Sequence, residues 1–291
     1  MILVTGANGT VGREVARQLA AARVPVRLAL RDLSPGAVPD GAASERVRFD
    51  FRDPSTFGPA LRDVDRVFLL RPPQLARARR DFGPFVAAMA RAGVGRVAFL
   101  SVRGAQNNPL LPHRRIERLL QRSGLIWTHL RPNDFMQNFA TVHRDDIRDR
   151  AEIWAPAGRG RTSFVDARDV AEAAARVLTE AGHGRRAYTL TGVEALDLGE
   201  VAAVLSEVLG RRITYRDPGV VAFLRHLRAE GRPMALGLVM VGVYTAARLG
   251  LASGVSPDLG RLIGRPPTTL RAFAEDYAGA WQPPRRRQQP G

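Results

Sequence analysis

The chain opens Met1-Ile2-Leu3-Val4-Thr5-Gly6-Ala7-Asn8-Gly9-Thr10-Val11-Gly12, and this stretch decides the fold. An apolar run over 1–5 reads as a strand buried on both faces. Residues 10–23 carry Val11, Val15, Leu19 and Ala22 on one helical face. Between them the three glycines do different work. Gly6 permits a tight strand-to-helix turn, Gly9 lets backbone approach a pyrophosphate, and Gly12 lets the helix pack close. The helix start then offers unpaired N–H groups and the positive end of its dipole to phosphate oxygens. A glycine turn in this setting points to a dinucleotide, with Thr5, Gly6, Asn8, Gly9, Thr10, Val11 and Gly12 expected around it.

Strand–helix alternation continues outward from this turn. Strands are expected over 26–30, 47–49, 67–70, 97–101 and 125–130, with helices over 57–61, 82–92 and 114–122. Beyond these, 166–180 reads as a helix, 187–190 as a strand, 198–209 as a helix and 213–215 as a short strand. The pattern is that of an α/β, doubly wound parallel Rossmann sheet. Residues 1–192 are expected to form the dinucleotide-binding domain, with an excursion near 135–160. Residues 193–281 are expected to form a smaller, mostly helical C-terminal region that binds substrate, and 282–291 a flexible tail.

The residue after the second strand discriminates between cofactors. An arginine there suits a 2′-phosphate, an acidic residue a 2′-hydroxyl. The chain reads Leu30-Arg31-Asp32, and Arg13 follows the last glycine. NADP(H) is favoured on Arg31, while Asp32 keeps NAD(H) possible.

Composition narrows the remaining classes. There is no cysteine, which excludes disulfides and thiolate chemistry, and an intracellular, cytoplasmic location fits. The formal charge is +16, all of its 44 basic residues are arginine, and no lysine occurs. The arginines are spread along the chain without a nucleic-acid motif, so no nucleic acid is expected. The apolar stretch 234–247 falls short of the roughly 20 residues of a membrane helix. It reads as a buried helix, and no membrane association is expected. A monomer or a homodimer both fit.

The spacing GxxGxxG resembles the extended and atypical branches of the short-chain dehydrogenase/reductase superfamily. Further stretches make the resemblance specific to the NmrA-like family. They are Phe99-Leu100-Ser101, His113 with Glu117, Leu130-Arg131-Pro132-Asn133-Asp134-Phe135-Met136-Gln137-Asn138, Phe164-Val165-Asp166-Ala167-Arg168-Asp169, Leu190-Thr191-Gly192 and Gly264-Arg265-Pro266-Pro267. The family includes NAD(P)H-dependent quinone and azo-dye reductases, and regulators that bind the dinucleotide and a protein partner without chemistry. The resemblance implies an adenine contact for Asp50 and Phe51, which otherwise cap a turn. It places Leu70 and Arg71 along the cofactor, and Asn133 and Phe135 against the nicotinamide.

Typical superfamily members use a tyrosine and a lysine four residues on. A chain without lysine cannot do so, and Tyr188, Tyr215, Tyr244 and Tyr277 all lie outside the helix after the fifth strand. At the tyrosine's place stands His113, with Glu117 one turn on. Glu117 is expected to orient the ring and favour its protonated form, making His113 a proton donor. Ser101 either hydrogen-bonds a substrate carbonyl or ends its strand. The implied activity is hydride transfer from NAD(P)H to a small quinone-like or conjugated aromatic substrate. The alternative is a catalytically silent, NAD(P)-sensing regulator.

Overall fold

The computed structural model describes residues 1–33 and 44–282. Along the chain the elements run β1 (Ile2–Thr5), α1 (Thr10–Ala21), β2 (Val26–Leu30), β3 (Ser44–Arg48), α2 (Phe57–Leu61), β4 (Arg66–Leu70), α3 (Ala78–Arg91), β5 (Arg96–Leu100), α4 (Pro112–Gln121) and β6 (Ile126–Pro132). They continue with α5 (Gln137–Thr141), β7 (Glu152–Trp154), α6 (Ala167–Thr179), β8 (Arg186–Leu190), α7 (Leu198–Leu209), β9 (Thr214–Arg216), α8 (Val220–Ala229), α9 (Met234–Arg248), α10 (Asp258–Ile263) and α11 (Leu270–Tyr277). Among the described residues no helix is long and apolar enough to cross a membrane.

Two compact units result. The first comprises Met1–Asn133, Ala167–Thr191 and Ser256–Pro267. Its seven-stranded sheet has the order β3-β2-β1-β4-β5-β6-β8, and every pairing is parallel. Strands β1 and β2 are buried at every position, so β1 reads as a continuous apolar run and β2 as one broken only by Arg27, whose buried guanidinium pairs with Glu45. On one face α1 packs with α6 against the sheet. On the other, Phe82, Phe85 and Met89 of α3 and Ile116 and Leu120 of α4 meet Leu3, Val67, Leu69, Val97 and Phe99 of the strands. Strand β3 begins at Ser44, earlier than the expected 47, because Glu45-Arg46-Val47-Arg48 mixes charge into an edge strand.

The second unit comprises Asp134–Asp166, Gly192–Val255 and the described residues from Thr268 onward. Its core gathers Phe139, Ile147, Phe164, Leu205, Phe223, Phe273 and Trp281. The Trp281 indole Nε1–H donates to the Phe139 carbonyl at 2.9 Å. Helix α7 starts on a capping box in which Asp197 and Glu200 satisfy each other's backbone N–H groups. The short strand near 213–215 has a partner the sequence did not reveal: β7 pairs with β9 in parallel. The expectation of a buried helix over 234–247 is corrected in part. Residues Met234–Arg248 are helical, but one face leaves Leu238 59% and Val239 62% exposed. The basic run of the tail, Arg285 to Arg287, and most of 282–291 lie outside the described residues.

Candidate functional site

In an all-parallel sheet every carboxyl end lies at one edge, where ligands of open α/β sheets bind. Gly6, Arg31, Asp50, Arg71, Ser101 and Asn133 each follow a strand of the first unit and therefore share that edge.

Gly6 adopts φ +65°, a left-handed conformation in which side chains are strained. Its carbonyl sets the turn, accepting from Gly9 N–H at 2.9 Å. A Cβ on Gly12 would lie 2.1 Å from the Gly6 carbonyl oxygen, so α1 starts against bare backbone. Gly9 is the N-cap and supplies no side-chain hydrogen bond. The first N–H groups of α1 therefore face outward without an internal partner. A turn with no room for side chains and an uncapped helix start fits a pyrophosphate, whose charge the helix end favours. When bound there, NAD(P)H supplies a hydride from its nicotinamide.

The other expected cofactor residues divide by what their side chains already do. Arg31 is exposed, and no carboxylate pairs with it among the described residues. Asn8 and Thr10 are exposed, while Val11 is core and offers its main chain alone. The Thr5 hydroxyl is fully buried, donates to the Phe68 carbonyl at 3.0 Å and accepts from Leu70 N–H at 2.8 Å. It ties β1 to β4 and is not available to a ligand. Leu70 packs its side chain over Gly6. Asp50 Oδ1 accepts from Arg52 N–H at 2.9 Å, so this carboxylate also shapes its own turn. The Phe51 ring turns into the core, 4.8 Å from the Phe82 ring, leaving only main chain at the edge.

The catalytic expectations change most. Glu117 is completely buried, and its oxygens are taken. Arg131 grips it with two hydrogen bonds, at 2.8 and 2.9 Å, Arg114 donates at 3.2 Å, and the Ser101 hydroxyl donates at 2.7 Å. Burial alone would push the Glu117 carboxyl up, but Arg131 and Ser101 hold it below its usual range. Glu117 thus serves Arg131, and among the described residues it makes no hydrogen bond to His113. The Ser101 hydroxyl, in turn, is spent on Glu117 and does not point a free donor at a substrate.

His113 pairs instead with Arg71, whose Nε donates to the ring Nε2 at 3.2 Å. The same guanidinium holds the carbonyls of Pro72, Pro73 and Leu75 through Nη1. Burial, then the Arg71 charge, pushes His113 down to about 4, with Glu117 pulling weakly the other way. The expectation of a protonated ring is therefore corrected: the imidazole is neutral at pH 7. Because an arginine only donates, Nε2 is the acceptor and the ring proton sits on Nδ1. Nothing in sequence spacing signals the Arg71–His113 pair, which joins positions 42 residues apart.

Asn133 continues the β6–β8 ladder, its N–H donating to the Leu190 carbonyl at 2.9 Å. Phe135 belongs to the second unit, where it bridges to Val165. A surface groove of about 710 Å³ lined by Phe57, Leu61, Arg62, Pro84 and Arg91 belongs to α2 and α3. Those helices lead into the amino ends of β4 and β5, so the groove is separate from the carboxyl edge.

Comparison with known proteins agrees with this geometry. A family model described as NAD(P)H-binding matches residues 6–181. The chain is 33% identical to an NAD(P)H azoreductase of Xenophilus azovorans, covering 97% of this chain and 99% of that one. It resembles the NADPH-dependent quinone oxidoreductase of Escherichia coli solved with NADPH, with TM-score 0.83, 27% identity and coverage of 95% and 99%. It shares its fold with NmrA, a negative transcriptional regulator solved with NADP, at TM-score 0.74, 17% identity and 94% of each chain. The chain therefore belongs to the NmrA-like family of atypical short-chain dehydrogenases, as an NAD(P)H-binding oxidoreductase.

Proposed function

We propose that this protein uses NADPH to reduce a quinone-like or conjugated aromatic acceptor. The observation that carries the reading is the state of the helix after β5. The place of the superfamily's tyrosine holds a neutral His113 bound to Arg71, and the place of its lysine holds a Glu117 consumed by Arg131. Such a site lacks the strong, lysine-tuned acid that reduction of an ordinary ketone asks for. An acceptor that is electrophilic already needs chiefly proximity and orientation to the nicotinamide. His113 then acts through its Nδ1–H as an orienting donor. The names of the azoreductase and quinone oxidoreductase relatives support an acceptor of this class. Arg31, exposed and without a carboxylate partner among the described residues, supports the 2′-phosphate cofactor.

The test is NADPH oxidation with a panel of quinones, azo dyes and polyaromatic ketones. Turnover of quinones or azo dyes but not of simple ketones is expected. Tight NADPH binding without turnover of any acceptor would favour the sensing regulator instead.

A further inference from the structure

Arg71 follows β4, and His113 lies in the first turn of α4 after the connection from β5. Both therefore belong to the carboxyl edge of the first unit. The chain around the arginine reads Leu70-Arg71-Pro72-Pro73-Gln74-Leu75. Its two prolines fix φ and carry no main-chain N–H. Their carbonyls, with that of Leu75, accept from Arg71 Nη1 at 3.1, 3.0 and 3.0 Å. The Leu75 N–H closes the loop onto the Pro72 carbonyl at 3.0 Å, and the Leu75 side chain is anchored in the core. The guanidinium is thus held by its own loop. It is planar, so fixing Nη1 also directs Nε, which donates to His113 Nε2 at 3.2 Å.

Every hydrogen bond that Arg71 makes among the described residues goes to a neutral acceptor. This inverts the usual partnership of a functional histidine. A carboxylate or carbonyl beside an imidazole accepts a ring N–H and draws the proton to the nitrogen it faces. A guanidinium only donates, so it fixes a lone pair there and leaves the proton on the opposite nitrogen. An imidazole in water prefers its proton on Nε2, and Arg71 imposes the other form. Two charged groups act on this ring, Arg71 from the end of β4 and Glu117 from the next turn of α4. Glu117 is engaged by Arg131, Arg114 and Ser101. The Phe99 ring lies 6.2 Å from the imidazole. Nδ1 has no protein partner among the described residues and is not sealed from solvent. The ring therefore offers one free donor at this edge.

We infer that Arg71 is a positioning residue for the reaction: it locks His113 in the Nδ1–H form, so that the ring presents a donor and not a lone pair to the acceptor. This rests on the reductase reading given above. As hydride adds to one nitrogen of an azo group, the N=N π bond breaks and its electron pair collects on the other nitrogen. A donor held at that atom stabilises the developing charge. The Nδ1–H bond stays intact, the second proton of the hydrazo product comes from water, and NADPH becomes NADP⁺. For a quinone the charge collects on a carbonyl oxygen.

The experiment reads the ring directly, by NMR of protein carrying nitrogen-labelled histidine, at pH 7 without cofactor or acceptor. A His113→Phe variant identifies the His113 signals among those of the five histidines. The unmutated protein is expected to carry the proton on Nδ1 and none on Nε2. Arg71→Met should move the proton to Nε2. Arg71→Lys, whose ammonium also donates but cannot span ring and carbonyls in one plane, should keep the Nδ1–H form in part. A proton on Nε2 in the unmutated protein, alone or with one on Nδ1, overturns the inference, and this observation needs no variant to fold. An Nδ1–H form that survives intact in Arg71→Met overturns it too. Azo-dye kcat and kcat/KM should fall together by about 10²-fold in Arg71→Met, the scale of losing one donor to developing charge. Arg71→Lys should recover part of that loss. An Arg71→Met enzyme that loses the Nδ1–H form but keeps its rate removes Arg71 from the reaction. If no acceptor is reduced by the unmutated protein, the reductase reading fails separately, while the form of the ring still decides whether Arg71 sets it.

Discussion

Gly12 and Arg31 carry the two sharpest single-residue consequences. A methyl group on Gly12 collides with Gly6 backbone, which no rotamer can relieve. Gly12→Ala should shift the start of α1, cost about 1–3 kcal/mol of stability and weaken NADPH at least about tenfold. Calorimetric titration of the variant checks this, and an unchanged affinity would contradict the phosphate assignment. Arg31→Ala should weaken NADPH by about 1.5–3 kcal/mol, the scale of a charge-assisted hydrogen bond, while leaving NADH nearly unaffected. Equal affinity of the unmutated protein for both cofactors would remove Arg31 from the 2′-phosphate. Both candidates can be picked out in sequence because the roles proposed for them depend on neighbours along the chain: a glycine opens the helix after a strand, an arginine follows one. The Thr5 hydroxyl and the Phe51 ring are not, because β4 and α3, tens of residues away, decide where they point.

Between elements, the connection of α4 to β5 and β6 runs through one buried carboxylate. Glu117 joins Ser101 of the β5 end, Arg131 of β6 and Arg114 of its own helix. Removing its charge strands two guanidinium groups whose side chains are only 12% and 20% exposed. Glu117→Gln should therefore destabilise the fold by about 2–4 kcal/mol, slightly below a fully sealed pair because the arginines keep some solvent. Denaturant unfolding measures this, and a midpoint within error of the unmutated protein would show that the cluster contributes little. Helical spacing put His113 and Glu117 on neighbouring turns, and that much was correct. It could not reveal that Arg71 and Arg131, each ending a different strand, would claim them separately. The order of β6 and β8 was similarly hidden, since residues 134–166 leave the first unit before the chain returns as α6.

For the whole molecule, buried neutral histidines set the response to acid. His113, His129 and His143 are each pushed down to about 4, chiefly by burial. Unfolding lets them protonate near 6.5, so their contribution is complete above that pH and is lost as pH falls toward 4. Asp134 acts in the opposite sense, because its folded carboxyl holds a proton up to about 6 that the unfolded chain releases. Near pH 5 unfolding should take up a net of about two protons, so stability should drop steeply between pH 6.5 and 4. Denaturant midpoints across that range test it, and a flat profile would mean that these rings are solvated. The parallel sheet and its glycine turn were legible because periodicity and punctuation are local; the buried surroundings of Asp134 were not, because they are assembled from α5 and α9, which lie far apart in sequence. The central claim is that this chain passes a hydride from NADPH to a conjugated acceptor. Its most direct test is an anaerobic single turnover, mixing the protein with one equivalent of NADPH and an excess of quinone or azo dye. The account predicts stoichiometric loss of the reduced-nicotinamide absorbance together with reduction of the acceptor, and a slower loss with the Gly12→Ala variant. Reduced nicotinamide that survives unchanged beside every acceptor would contradict it.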